Sequence, residues 1–248
     1  MKSALTQSDV ENGLRQLGIR PGMTLEVHSS LQSFGHLEGG AEALIDALMQ
    51  SVGNEGAIVM PSFRLSKDLQ LTEEDRKLGL TVKIRILDED EEESGMGVVS
   101  DTFRKRSDVR TGEGIFRVSA WGKDADKHSS SGFQHLIDHD GWALLLGVDI
   151  YRLSSMHYVE DILPDAIRGK FQPSPEARIR YPENRWFIEA WQPDVKPWYT
   201  IQETAYEKGF ITDGRIGDAK CMLLKVRPVI GLYRQALQIN PFELYGLK

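Results

Sequence analysis

Residues 24–61 constrain the fold more than any other part of the chain. A short apolar run, Thr24-Leu-Glu-Val-His28, gives way to a hydroxyl-rich turn, Ser29-Ser-Leu-Gln-Ser-Phe-Gly35, and then to Gly39-Gly40. Apolar residues next recur at helical spacing over 41–51, Gly53-Asn-Glu-Gly56 interrupts them, and a second apolar run, Ala57-Ile-Val-Met-Pro61, follows. Strand, helix and strand within this length make a βαβ unit, so the two strands lie parallel in one sheet. Ligand sites in such sheets sit beyond the strand C-termini, here on the loops that start at His28 and Pro61.

The rest of the chain extends this unit into a mixed sheet. Residues 6–17 read as a helix capped by Thr6 or Ser8 and ended by Gly18-Ile-Arg-Pro-Gly22. Residues 64–95 are charged and weakly patterned, which predicts a long surface excursion before a helix near 97–106. Helices near 123–129 and 132–138 precede a buried strand at 143–148. Residues 178–181 and 185–191 alternate as antiparallel strands would, and the segment 201–208, a strand at 220–226 and an amphipathic segment at 229–238 close the chain. The 248 residues suit one domain over 1–248.

Composition narrows the partners. A net charge of −7 argues against nucleic acid, whose partners carry basic stripes, and favours a cationic small molecule. No apolar run approaches the roughly eighteen residues of a membrane span, and residues 1–10 lack the layout of a signal peptide, so no membrane partner is expected and the cytoplasm is the expected location. Cys221 is the only cysteine, which excludes an intrachain disulfide and a thiolate metal cage and suits a small buried apolar residue. Six consecutive carboxylates at 88–93 read either as a solvated loop or as an acidic rim that attracts a polyamine.

Chemistry concentrates on three loops. In Trp142-Ala-Leu-Leu-Leu-Gly147 a strand runs out into a polar turn that presents His157 and Glu160 three residues apart. On a helix these share one face. A histidine titrates near about pH 6.5, and a carboxylate that orients its ring makes it a plausible general base; the plainer reading is a surface ion pair. The second loop, His28-Ser-Ser-Leu31, offers hydroxyls and backbone amides at a strand end. The third, Gly95-Met-Gly97 leading into Arg104-Lys-Arg106, is a glycine-preceded helix with cations on it, and neither a Walker loop nor a dinucleotide fingerprint. His36, His128, His135 and His139 read as surface or loop residues.

In order along the chain, Val27-His-Ser-Ser-Leu31 with Gly35 and Gly39-Gly40, Gly53 to Ser62, Met96-Gly97 with Phe103-Arg104, Ser119-Ala-Trp-Gly122, Leu144 to Val148 with His157-Tyr-Val-Glu160, and Arg215-Ile-Gly-Asp-Ala219 resemble the aminoglycoside N3-acetyltransferase family. The resemblance implies a three-layer α/β/α fold with a mixed, partly antiparallel central sheet. It implies transfer of an acetyl group from acetyl-coenzyme A to the 3-amino group of an aminoglycoside, with no metal. His157 falls on the family's catalytic histidine and Glu160 on its partner carboxylate. Ser29, Ser30 and Leu31 fall on the coenzyme loop, with Pro61, Ser62, Met96 and Gly97 as walls; Arg104 or Arg106, on the glycine-preceded helix, is the candidate to meet the coenzyme's anionic groups. Direct transfer is expected, because Cys221 lies far along the chain from these residues. Amides near Ser30 or the Ser155 hydroxyl are candidate donors to the thioester oxyanion.

Three segments depart from the family pattern: Arg110-Thr-Gly-Glu-Gly-Ile-Phe116, His135-Leu-Ile-Asp-His-Asp-Gly141, and Ser154-Ser-Met156, where the family has a threonine. They leave the acceptor open to another amino sugar or a nucleotide-linked one, for which a basic pocket would speak, whereas an acidic pocket favours a polycationic antibiotic. A metal hydrolase on His28, His157 and Glu160, and a binding protein without catalysis, are the rivals from other classes. A monomer or homodimer is expected.

Overall fold

Alternation along the strands decides how the layers stack. The computed structural model describes residues 4–247; residues 1–3 and 248, which the expected domain span and the reading of the N-terminus include, lie outside the described residues. Among the described residues nine strands form, β1 (Thr24–Ser29), β2 (Ala57–Pro61), β3 (Val82–Arg85), β4 (Arg110–Thr111), β5 (Val118–Gly122), β6 (Trp142–Leu146), β7 (Trp186–Glu189), β8 (Ile211–Ile216) and β9 (Ala219–Lys225). Seven make one sheet in the order β4-β5-β2-β1-β6-β9-β8. β1 pairs in parallel with β2, as the βαβ reading requires, and in parallel with β6, from Leu25 opposite Trp142 to Ser29 opposite Leu146. The outer pairings are antiparallel, so the sheet is mixed.

Because side chains alternate across a strand, Leu25, Val27, Leu144 and Leu146 join one apolar layer, with the helices Gln7–Leu17, Gly40–Val52 and Val98–Arg104. Val59, Ala143, Leu145 and Leu224 join the other, under the helices Pro197–Glu207 and Val226–Ile239 and the segment Ser154–Ile162. Two cores with a sheet between them give the three-layer α/β/α arrangement. Thr6 is the cap of the first helix: its hydroxyl accepts from the Asp9 amide while Asp9 accepts from the Thr6 amide.

Four expectations are corrected. Residues 178–181 are not a strand; Pro175–Arg180 is a helix capped by Ser174 with Pro175 in its first turn, a start signal that outweighs the short alternation. The excursion at 64–95 is structured, with the helix Glu73–Lys77 and β3, and β3 is the partner that β7 pairs with, Val82 opposite Glu189. Asp75, fully buried, accepts hydrogen bonds from Lys83 and Tyr181, which ties this excursion to the Pro175–Arg180 helix. His128 is buried, 3% exposed, against His135 at 4.6 Å, and desolvation pushes its pKa down to about 4. The histidine segment is a 3-10 rather than an α-helix, Ser154–Ile162. At three residues per turn, positions i and i+3 eclipse, which aligns His157 and Glu160 more directly than an α-helix would.

Candidate active site

β1, β2 and β6 point their C-termini the same way, and a cleft of about 630 Å³ opens beyond them. His28, Ser29 and Ser30 from the end of β1, Pro61 from the end of β2, Met96 and Gly97 from the glycine loop and His157 line it. Gly147, which ends β6, also lines the cleft with φ of 69°, and a Cβ there would lie 1.6 Å from Ser33 Oγ. Only glycine combines that backbone with so close an approach.

His157 Nδ1 lies 2.7 Å from Glu160 Oε2. A ring that donates Nδ1–H to this carboxylate leaves Nε2 as its basic nitrogen. Glu160 is held in turn: Tyr233 Oη donates to Oε1 at 3.3 Å and lies 2.7 Å from Tyr245 Oη. The edge of Trp198 packs on the imidazole at 4.8 Å. The His157 side chain stays 61% accessible at the cleft wall. Desolvation there disfavours the imidazolium, but the Glu160 hydrogen bond and charge, followed by Glu189 and Glu26, outweigh it and hold the His157 pKa above its ordinary value.

The remaining expected residues divide. Leu31 starts a short 3-10 turn and packs against the first core, while Gln32 takes the place beside the cleft. Ser62 is buried with its Oγ 2.6 Å from Ser119 Oγ. Arg104 does not line the cleft; its guanidinium donates to Asp101 Oδ1 and to the carbonyls of Glu91 and Glu92. It fastens the loop that delivers Gly95-Met96-Gly97, and the acidic run is partly spent alongside it, Glu91 on Arg85 and Glu89 on Arg64. The cations that do line the cleft are Lys67 and Arg152. Sequence reasoning missed both, each being a single cation in an unpatterned loop.

It also missed Glu189, which ends β7. Burial, with Glu160 and Asp68 nearby, pushes its carboxyl up to about 7 against the pull of His157. Cys221 is buried and its thiol is pushed up to about 11 by burial, so little thiolate exists at neutrality. Among the described residues no group of three or more His, Cys, Asp or Glu side chains is arranged to hold a metal ion. Nor, among them, is any helix long and apolar enough to cross a membrane.

A Bacillus subtilis (strain 168) relative, the SPbeta prophage-derived aminoglycoside N(3')-acetyltransferase-like protein YokD, is 30% identical over 183 residues, 64% of this chain and 66% of that protein's length. Aminoglycoside N(3)-acetyltransferase IV of Salmonella sp is 27% identical over 88% of this chain and 81% of its own. The crystal structure of aminoglycoside acetyltransferase AAC(3)-IVa superposes with a TM-score of 0.71 at 23% identity, covering 99% of this chain and 92% of that one. A mutant of AAC(3)-IVa in complex with apramycin gives the same score, over 97% and 95%. The model of a family described as aminoglycoside 3-N-acetyltransferase matches residues 27–238, most of the chain. The chain therefore belongs to the aminoglycoside 3-N-acetyltransferase family.

Proposed function

We propose that this chain transfers the acetyl group of acetyl-coenzyme A directly to the 3-amino group of an aminoglycoside, with His157 as general base. The observation that carries the reading is the His157–Glu160 pair, 2.7 Å apart, on the wall of a cleft lined by Ser29, Ser30, Pro61, Met96 and Gly97. The coenzyme's arm lies in that cleft, with Lys67 and Arg152 meeting its phosphates. The acceptor amine approaches His157 from the side where Glu160, Glu189 and Asp68 gather negative potential. That potential suits a polycation and opposes a nucleotide-linked sugar, whose phosphates would be repelled.

An amine bound as ammonium has to lose a proton before its lone pair can reach the thioester carbonyl. His157 Nε2 takes it, and Glu160 stabilises the imidazolium that results. Glu189, poised near 7, ionises as the cation arrives and holds a second amine. A buried thiol at Cys221 supports direct transfer over an acyl-cysteine route. Acetyl-coenzyme A is a cosubstrate consumed in each cycle, and its pool puts the reaction in the cytoplasm.

The test is thiol release from acetyl-coenzyme A across a panel of aminoglycosides, free amino sugars and nucleotide-linked amino sugars. Turnover is expected with aminoglycosides that carry a 3-amino group, and Glu189→Gln is expected to raise the acceptor KM more than the coenzyme KM. Turnover confined to nucleotide-linked sugars would overturn the assignment.

A further inference from the structure

β1 is the middle strand of the sheet, yet its two faces differ: Leu25 and Val27 enter one core, while Glu26 and His28 point together toward the histidine segment. Glu26 is 0% exposed and His28 7%. Glu26 Oε1 lies 2.8 Å from His28 Nε2 and accepts the Ser155 backbone N–H at 3.1 Å; the Ser154 backbone N–H donates to the same Nε2 at 3.4 Å. Glu26 Oε2 is buried and unpaired. A carboxyl group this deep in a sheet is costly unless it is hydrogen-bonded, and the His28 ring is a side chain in contact with it. His28 also lines the cleft.

Of the donors expected to meet the thioester oxygen, the Ser30 amide is committed and the Ser155 hydroxyl is out of reach. The Ser30 amide donates to the Leu146 carbonyl at 2.9 Å, and Ser155 Oγ is fully buried. We propose that His28, held through Nε2 by Glu26, is a second catalytic histidine whose Nδ1–H binds the thioester carbonyl oxygen. The proposal rests on the acetyl-transfer reading above. In the reaction the acceptor nitrogen's lone pair forms the C–N bond and the carbonyl π pair moves onto oxygen, where His28 stabilises it. The first proton taken from the ammonium leaves the exposed His157 for solvent, and Nε2 then takes the second proton from the nitrogen of the adduct. Collapse reforms C=O and breaks C–S, and the departing thiolate takes the proton from His157. His28 gives up no proton in the reaction, and Glu26 acts as a positioning residue.

Difference infrared spectroscopy of acetyl-coenzyme A labelled with 13C at the carbonyl, bound to the whole protein, tests this without an acceptor. The carbonyl band is expected at lower frequency than in water, and to return toward the free value in His28→Leu. His28→Asn, which keeps a side-chain N–H, is expected to retain part of the shift. In parallel, His28→Leu is expected to lower kcat by roughly 10²–10³-fold while the coenzyme KM stays within about threefold. Glu26→Gln is expected to lower kcat with the same unchanged KM. An unshifted band on the wild type overturns the role of His28 whatever the variants do, and so does a folded His28→Leu with wild-type band and kcat. Wild-type turnover beside an unshifted band leaves the transfer reading standing and removes only His28. Absence of saturable acetyl-coenzyme A binding overturns both.

Discussion

Replacing Glu160 with glutamine keeps the shape of the His157 contact and removes its charge. The contact is 2.7 Å long, and glutamine still offers an oxygen to Nδ1–H. A hydrogen bond to a charged group contributes about 1.5–3 kcal/mol and a neutral one about 0.5–1.5 kcal/mol, so about 1–1.5 kcal/mol of differential interaction is at stake. The 61% accessibility of His157 places the loss at the lower end through solvent screening. The sign follows from the charge: Glu160 favours the protonated ring, so its neutralisation lowers the pKa and the free base persists to lower pH. The acid limb of kcat/KM is therefore expected to shift to lower pH. The plateau is expected to fall about tenfold, because the imidazolium formed in the transition state loses its partner. Initial rates of thiol release across the pH range measure both. An acid limb that stays in place or moves upward would refute the electrostatic role given to Glu160.

Three further perturbations separate structural from chemical roles. Gly147→Ala forces a left-handed backbone on a residue whose Cβ would meet Ser33 Oγ at 1.6 Å; the conformer alone costs about 1–2 kcal/mol, so lowered Tm and weakened coenzyme binding are expected, and unchanged values of both would contradict the close approach. Lys67→Gln and Arg152→Gln are expected to raise the acetyl-coenzyme A KM most at low salt, whereas Arg104→Gln raises it independently of salt by loosening the 91–97 loop. A salt-dependent effect confined to Arg104 would return the phosphate role to it. Cys221→Ala is expected to keep kcat within about twofold, and a hundredfold loss would restore the acyl-cysteine route.

Local periodicity made much of the fold legible. The 24–61 unit, β6 and the Thr6 cap each follow from neighbours within a turn or a strand. Arg178-Ile-Arg-Tyr181 misled because four residues fit period two by chance, and the decisive Ser174-Pro175 start lies outside them. β3 stayed hidden because its partner, β7, is about a hundred residues away, and a strand of four charged and apolar residues has little pattern of its own. At the site, His157 and Glu160 were visible because their contact is local. Glu189 and the Glu26–His28 pair were not, since their significance comes from burial that only the tertiary structure creates. One signal was available: Glu26 and His28 are alternate residues in a strand that a parallel sheet buries on both faces, and polar residues in that pattern call for partners.

The most direct test of the account is His157→Ala, assayed for thiol release from acetyl-coenzyme A with a 3-amino aminoglycoside and, separately, for coenzyme affinity by calorimetry. The account predicts turnover reduced to background with coenzyme Kd nearly unchanged. Wild-type turnover in a folded His157→Ala protein would contradict it.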